Sequence, residues 1–150
     1  MESKAFIEKY LIKEVESLLE SKSYYPLLVY GSIGIETLGA VIDTKPIRAR
    51  EQSRFRFASA LFHLFPNQYG FVNKQNFLYE TLRNHSAHNL LPSSKILIVN
   101  EKNKTVRHLD QKKDQLTFVV DIFAKDFLKA CKTAIEMIDK GEVENKHIQV

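Results

Sequence analysis

With 150 residues, 44% hydrophobic and 27% charged, the chain is the size of one domain and can bury a core without disulfides or metals. The composition excludes disordered and fibrous classes. A net charge of +4 and a pI near 9.1 favour polyanionic partners without requiring one. The single cysteine, Cys131, excludes an internal disulfide and fits a reducing, cytoplasmic compartment.

Residues 4–21 place Phe6, Ile7, Tyr10, Leu11, Val15, Leu18 and Leu19 on one stripe, which predicts an amphipathic first helix. The Met1–Lys4 start has neither a basic n-region nor an apolar h-region, so no secretory signal is expected. Ser21–Ser23 is a polar break, and Pro26 suits the first turn of a second helix ending near Asp43. The apolar stretch Tyr24–Ile42 is interrupted by Glu36 and three glycines. A carboxylate at mid-span is expensive in lipid, so a buried core helix is expected and no membrane contact. Gly31 and Gly34 share a face with Leu38, where small residues permit close packing. A third helix is predicted from Arg48 to Phe65, with Phe55, Ala58, Phe62 and Phe65 on one side. Pro66–Gly70 reads as a turn. A fourth helix spans about Lys74 to His88.

After Pro92 the period changes. Ile96–Val99 is apolar and β-branched, Lys104–Leu109 alternates, and Asn100–Asn103 suits a hairpin loop. A short β-hairpin is therefore predicted before the last helix, about Leu116 to Gly141. Cys131 falls in that helix's apolar stripe, where a buried structural thiol is expected. The polar segment 142–150 is expected to fray. The fold class is thus mainly α, four to five helices in one domain over residues 1–150, with an inserted hairpin.

Reactive groups concentrate at the end of the fourth helix. Arg83, Asn84, His85 and His88 fall within six positions, and Pro92 must end any helix soon after. Arginine binds phosphate bidentately and stays charged as negative charge develops. Histidine exchanges protons near neutral pH, taking one from a 2′-hydroxyl or giving one to a leaving oxygen. Asparagine orients either group. Such a set suits RNA cleavage without a metal. In an ideal helix, however, Arg83 and His88 lie roughly 140° apart, whereas Asn84 and His88 share a face. A distorted helix end, or a second subunit related by two-fold symmetry, would bring the first two together.

Arg83-Asn84-His85-Ser86-Ala87-His88 resembles the R-x4-6-H motif of the HEPN superfamily, including the polar residue after the arginine and the position late in a helical domain. The resemblance implies a four- or five-helix bundle that dimerises, so that paired motifs form a metal-independent endoribonuclease site. It implies catalytic roles for Arg83, Asn84 and His88, no cofactor, RNA as substrate, and, as in many members, a toxin or defence role with an antitoxin or effector protein as partner. The family also contains non-catalytic members that bind a partner protein or nucleotide.

Plainer readings stand beside these. Arg83 taken alone suggests an ion pair with Glu80 or stacking on Tyr79, and His88 alone a histidine favoured at a helix C-terminus. His85 and His88 lack a third ligand of convincing spacing, so no metal site is expected. His85 is a candidate flanking residue for RNA. Arg48, Arg50, Arg54 and Arg56 fall within nine residues. Arg50 and Arg54, at i and i+4, are the candidates for an RNA-binding face, with a solvated helix face as the default. Tyr24, Tyr25, Tyr69 and Tyr79 are able to stack bases but read first as core. His63 reads as a core or interface histidine; His108 and His147 suggest no role.

Overall fold

The structure, a computed structural model, describes residues 1–100 and 105–149. It is mainly helical, with six helices and one small sheet among those residues. Helix α1 (residues 3–20) is continuous and contains a π turn at Ile7–Ile12. Ile7, Leu11 and Val15 form its buried stripe, and Tyr30 Oη donates a 2.8 Å hydrogen bond to the Tyr10 carbonyl within the π turn. Helix α2 (Tyr24–Ile42) is the centre of the fold, packing against α1, both later long helices and the motif helix. By length and apolarity it would pass for a membrane span, but 56% of its apolar window is buried in this fold. An all-round apolar helix is what a core position requires.

The glycines of α2 do two different things. A Cβ at Gly31 or Gly34 would stand 2.6 Å from the ring of Phe123 or Phe127, so these positions are recesses for rings of the last helix, α6 (Val120–Asp139). A Cβ at Gly39 would stand 2.0 Å from the Arg56 carbonyl oxygen. There the backbone of α3 (Ser53–Leu64) crosses α2 directly.

Helix α3 begins five residues later than the sequence pattern predicts. Glu51 adopts φ 58, and residues 43–52 form a loop held by a buried charge cluster. Asp43 accepts hydrogen bonds from Arg56 Nε at 2.7 Å and Lys146 Nζ at 2.8 Å. Arg56 also donates to the carbonyls of Ile47 and Pro46, and Lys146 to those of Ala40 and Lys45. Burial raises the Asp43 pKa, but the bonds from Arg56 and Lys146 outweigh it and hold the carboxyl below its ordinary value. This cluster also corrects the frayed tail. Lys146 and Ile148 are buried, and Met1 and Ser3 bond the backbone of Ile148 and Lys146. One buried ammonium with three oxygen partners offsets the polarity of residues 142–149.

Of the stripe expected to be buried on α3, only Phe65 at its end is buried. Phe57, Ala60, Leu61 and Leu64 point inward with Arg56, while Phe55 and Phe62 are 70% and 76% exposed. The helix has two apolar stripes, and the stripe beside Gly39 wins because that glycine lets it approach α2. The segment Pro66–Gly70, read as a turn, instead leads into a short helix, α4 (Asn67–Val72). A 3-10 turn at Lys74–Asn76 leads to the motif helix α5, residues 77–89.

The predicted hairpin is corrected as well. Its loop lies largely outside the described residues, and 105–109 form no strand. Instead β1 (Ile96–Val99) pairs in parallel with β3 (Gln115–Val119), Ile96 opposite Leu116, and β3 forms a tight antiparallel hairpin with β2 (Gln111–Lys112). The order is β1-β3-β2. Leu116–Val119, read as the first turn of the last helix, are strand. Their backbone groups bond Lys95 and β1 on one side and residues 108–110 on the other. His108, assigned no role from sequence, bridges sheet and helices. Its Nδ1 accepts from the Val119 N–H at 2.9 Å and its Nε2 lies 2.8 Å from Tyr69 Oη. Tyr69 in turn donates to Asp126 at 2.7 Å. The first contact makes Nδ1 the acceptor, so Nε2 carries the proton and donates to tyrosine.

Candidate functional site

Helix α5 starts under the Asn73 side chain, whose Oδ1 accepts the Tyr79 N–H at 3.1 Å. Leu78 and Leu82 are fully buried and fix its rotation. A π turn then spans Tyr79–Asn84, followed by a short α segment, His85–Asn89. Within the π turn the Thr81 hydroxyl donates to the Phe77 carbonyl at 2.6 Å, and the Thr81 carbonyl is taken by the Ser93 N–H at 2.8 Å. Both bonds compete with the regular ladder, as expected where a helix distorts. The helix stops at Leu90, φ 56. A branched side chain in the left-handed region costs about 1–2 kcal/mol. The Leu90 carbonyl accepts from Tyr25 Oη at the start of α2, tying the strained stop to the core helix.

Arg83 projects from the π turn onto α2. Its Nη2 lies 2.5 Å from Glu36 Oε2, with side chains 17% and 20% exposed. The contact is one of charge without hydrogen-bond alignment, for Glu36 Oε2 and Arg83 Nε are both buried without a hydrogen-bond partner. The Arg83 guanidinium also lies 5.5 Å from the Tyr79 ring centroid, and that of Arg54 lies 5.8 Å from the same ring. One tyrosine thus sits against two guanidinium groups, a favourable arrangement for its negative ring face. Glu80 connects the second cation to the motif. It pairs with Arg54 at 3.4 Å and accepts from Asn84 Nδ2 at 3.3 Å.

The structure therefore brings Arg83, Asn84 and Arg54 together around Tyr79 and Glu80. It leaves His85 and His88 exposed at the helix end, with neither hydrogen bond nor ion pair among the described residues. Because 85–89 is α-helical, the large rotation between Arg83 and His88 persists beyond the π turn. Arg50 is separated from Arg54 by the left-handed Glu51 and lies in the loop, exposed, so the expected i, i+4 pair on one helix does not form. Arg48 reaches the Gln149 carbonyl, and Arg56 is buried against Asp43. His63 is exposed, edge-on to Phe62, not a core residue. Burial pushes the Cys131 thiol up to about 12, which keeps it protonated and inert.

Sequence reasoning gave Glu36 no part beyond excluding a membrane span. A lone carboxylate in an otherwise apolar buried helix was the available signal, since such a group requires a cation. Among the described residues, no group of three or more His, Cys, Asp or Glu side chains is placed to hold a metal ion. Comparisons with protein-family models, with curated proteins and with solved structures find no match.

Proposed function

We propose that the protein is a metal-independent endoribonuclease of HEPN type, acting in the cytoplasm as a homodimer, in a toxin or defence role. The 2′-oxygen of RNA attacks the neighbouring phosphorus and the bond to the 5′-oxygen breaks, leaving a cyclic phosphate and a 5′-hydroxyl. Arg83 neutralises the charge that builds on the phosphoryl oxygens. His88 takes the 2′-hydroxyl proton or delivers one to the leaving oxygen, water serving the other transfer. Asn84, held by Glu80, orients the pair.

The observation that carries this reading is the contrast within the motif. Arg83 is anchored by Glu36 and Tyr79, while His85 and His88, just beyond, are exposed and unpartnered among the described residues. Positioned cations beside available imidazoles suit transition-state stabilisation and proton transfer. The angular separation within one chain calls for a second copy. An apolar surface at the helix end, with Leu90 68%, Leu91 60% and the Leu90-bonded Tyr25 38% exposed, supports pairing there.

The test is RNA cleavage in EDTA by wild type and by His88→Ala, with folding and dimerisation checked for each. Loss of general acid–base help predicts a fall of about 10²–10⁴-fold. Robust cleavage by the folded variant would sink the proposal. A second reading, a non-catalytic HEPN-like module binding a partner protein or nucleotide, is favoured by one observation: the Arg83 Nη2 is spent on Glu36 and its Nε is buried. That reading expects no cleavage by wild type and an antitoxin or effector protein as the ligand.

A further inference from the structure

The face of α3 and α4 is unlike the rest of the surface. Phe55, Phe62 and Phe71 are 70%, 76% and 65% exposed, although a phenylalanine left in water forgoes about 1.5–3 kcal/mol of burial. Phe55 and Phe62 are seven residues apart on one helix, so they share a face about 10 Å apart along its axis. Phe62 and Phe71 line one open hollow of about 360 Å³ with Asn67 and Gly70. Phe55 and Arg54 line a second, of about 310 Å³, whose far wall is Tyr79. That is the same ring the Arg83 guanidinium lies against. The aromatic strip therefore runs from α4 along α3 and ends at the motif helix.

Charge chooses the occupant. Two cations stand beside these rings: Arg54, which lines the second hollow and also pairs with Glu80, and Lys74 at Phe71, whereas Arg56 is buried against Asp43. The cations interleave with the rings: Arg54 follows Ser53 and precedes Phe55, and Lys74 Nζ lies 5.7 Å from the Phe71 centroid. Protein–protein interfaces deplete lysine from their centres, although they share the aromatic rings and arginine. Flat exposed rings between cations are the features that bind unpaired nucleic acid, the rings stacking bases and the cations tracking phosphates.

We infer that the α3–α4 face is a stacking platform for single-stranded RNA that delivers the strand to the motif helix. Phe55 and Phe62 each stack a base, and Arg54 and Lys74 hold the intervening phosphates. At about 3.4 Å per stacked base, the spacing of the two rings spans roughly three steps. A duplex, whose bases are already paired and stacked, has no faces to offer the rings. The platform rests on the ribonuclease reading for the fate of the strand, not for its capture.

The experiment measures binding of a short fluorescent 2′-O-methyl RNA, which lacks the attacking hydroxyl, by anisotropy. Wild type, Phe55→Ala/Phe62→Ala, Arg54→Ala and His88→Ala are compared, with RNA cleavage in EDTA measured in parallel. Both phenylalanines are exposed, so their loss leaves the fold intact. The expected result is an affinity drop of about tenfold or more in the double phenylalanine variant, weak binding of the matching duplex, and a shallower salt dependence in Arg54→Ala. Unchanged single-strand affinity in the phenylalanine variant overturns the platform. So does a changed oligomeric state with unchanged RNA affinity, which would make the face a protein interface. Binding that depends on the rings while wild type cleaves nothing supports the platform and removes the ribonuclease reading instead.

Discussion

Arg83→Ala tests whether the motif arginine is anchored as the structure indicates. Its partner Glu36 sits at mid-helix on α2, 20% exposed, with Oε2 buried, and the substitution leaves that carboxylate without its counter-charge. Breaking a fully buried pair costs about 3–5 kcal/mol, and an exposed pair contributes about 0.2–1 kcal/mol. This pair is about four-fifths buried but not aligned as a hydrogen bond, so a loss of roughly 2 kcal/mol is expected from either Arg83→Ala or Glu36→Ala. Removing both together relieves the orphaned charge. The double variant should therefore be no less stable than the worse single one, with a coupling of about 2 kcal/mol or more. Urea denaturation of the four proteins measures this. Purely additive losses, or single losses below about 0.5 kcal/mol, would refute the anchoring. Arg83→Lys keeps the charge but loses the planar contact with Tyr79, so it should restore part of the stability and little of the cleavage.

The other predictions concern the scaffold. His108 is buried, which lowers its pKa from 6.5 to about 4. The unfolded chain takes up the proton first as pH falls, so stability contributed by neutral His108 is complete above pH 6.5 and lost progressively down to about 4, by about 3 kcal/mol. Asp126, raised above its ordinary 3.8 chiefly by burial, works in the opposite sense in the window just above 3.8, which the His108 comparison cancels because both proteins share it. A thermal melt series should show that slope flattened in His108→Gln; an unchanged slope would contradict the assignment. Gly39→Ala drives a Cβ against the Arg56 backbone carbonyl and should cost about 3 kcal/mol or more. Gly70→Ala, on exposed α4 with nothing within 4 Å, should be neutral or stabilising by about 0.5–1 kcal/mol; equal melting shifts for the two would show that α3 does not cross α2 there.

Elements whose burial follows one local stripe were legible in the sequence. Ile7, Leu11 and Val15 mark the inner face of α1, and Leu78 and Leu82 that of the motif helix, because a single apolar row admits one orientation. Helix α3 carries two rows, and the choice between them is made by Gly39 on another helix, which no local pattern reveals. The sheet failed for a related reason. The partner of β1 lies some twenty residues on and pairs in parallel, whereas the pattern favoured the nearer antiparallel match; Leu116–Val119 are apolar enough to serve either as strand or as a helix start. At the candidate site the reactive residues were legible from their types and spacing. Their supports were not: the Glu36 partner, the Arg54–Glu80–Asn84 link and the π turn at Tyr79–Asn84 depend on tertiary contacts and on bonds from Ser93.

The claim that one catalytic site is assembled from two chains is tested by mixing two inactive variants. In a two-fold dimer whose sites each take Arg83 from one subunit and His88 from the other, a heterodimer of Arg83→Ala with His88→Ala contains one complete site and one that lacks both groups. Random exchange at equal concentrations makes about half of the dimers heterodimers, so about a quarter of wild-type cleavage should return. With dimer exchange verified, the account predicts that recovery in EDTA. No recovery above either variant alone would contradict a shared site.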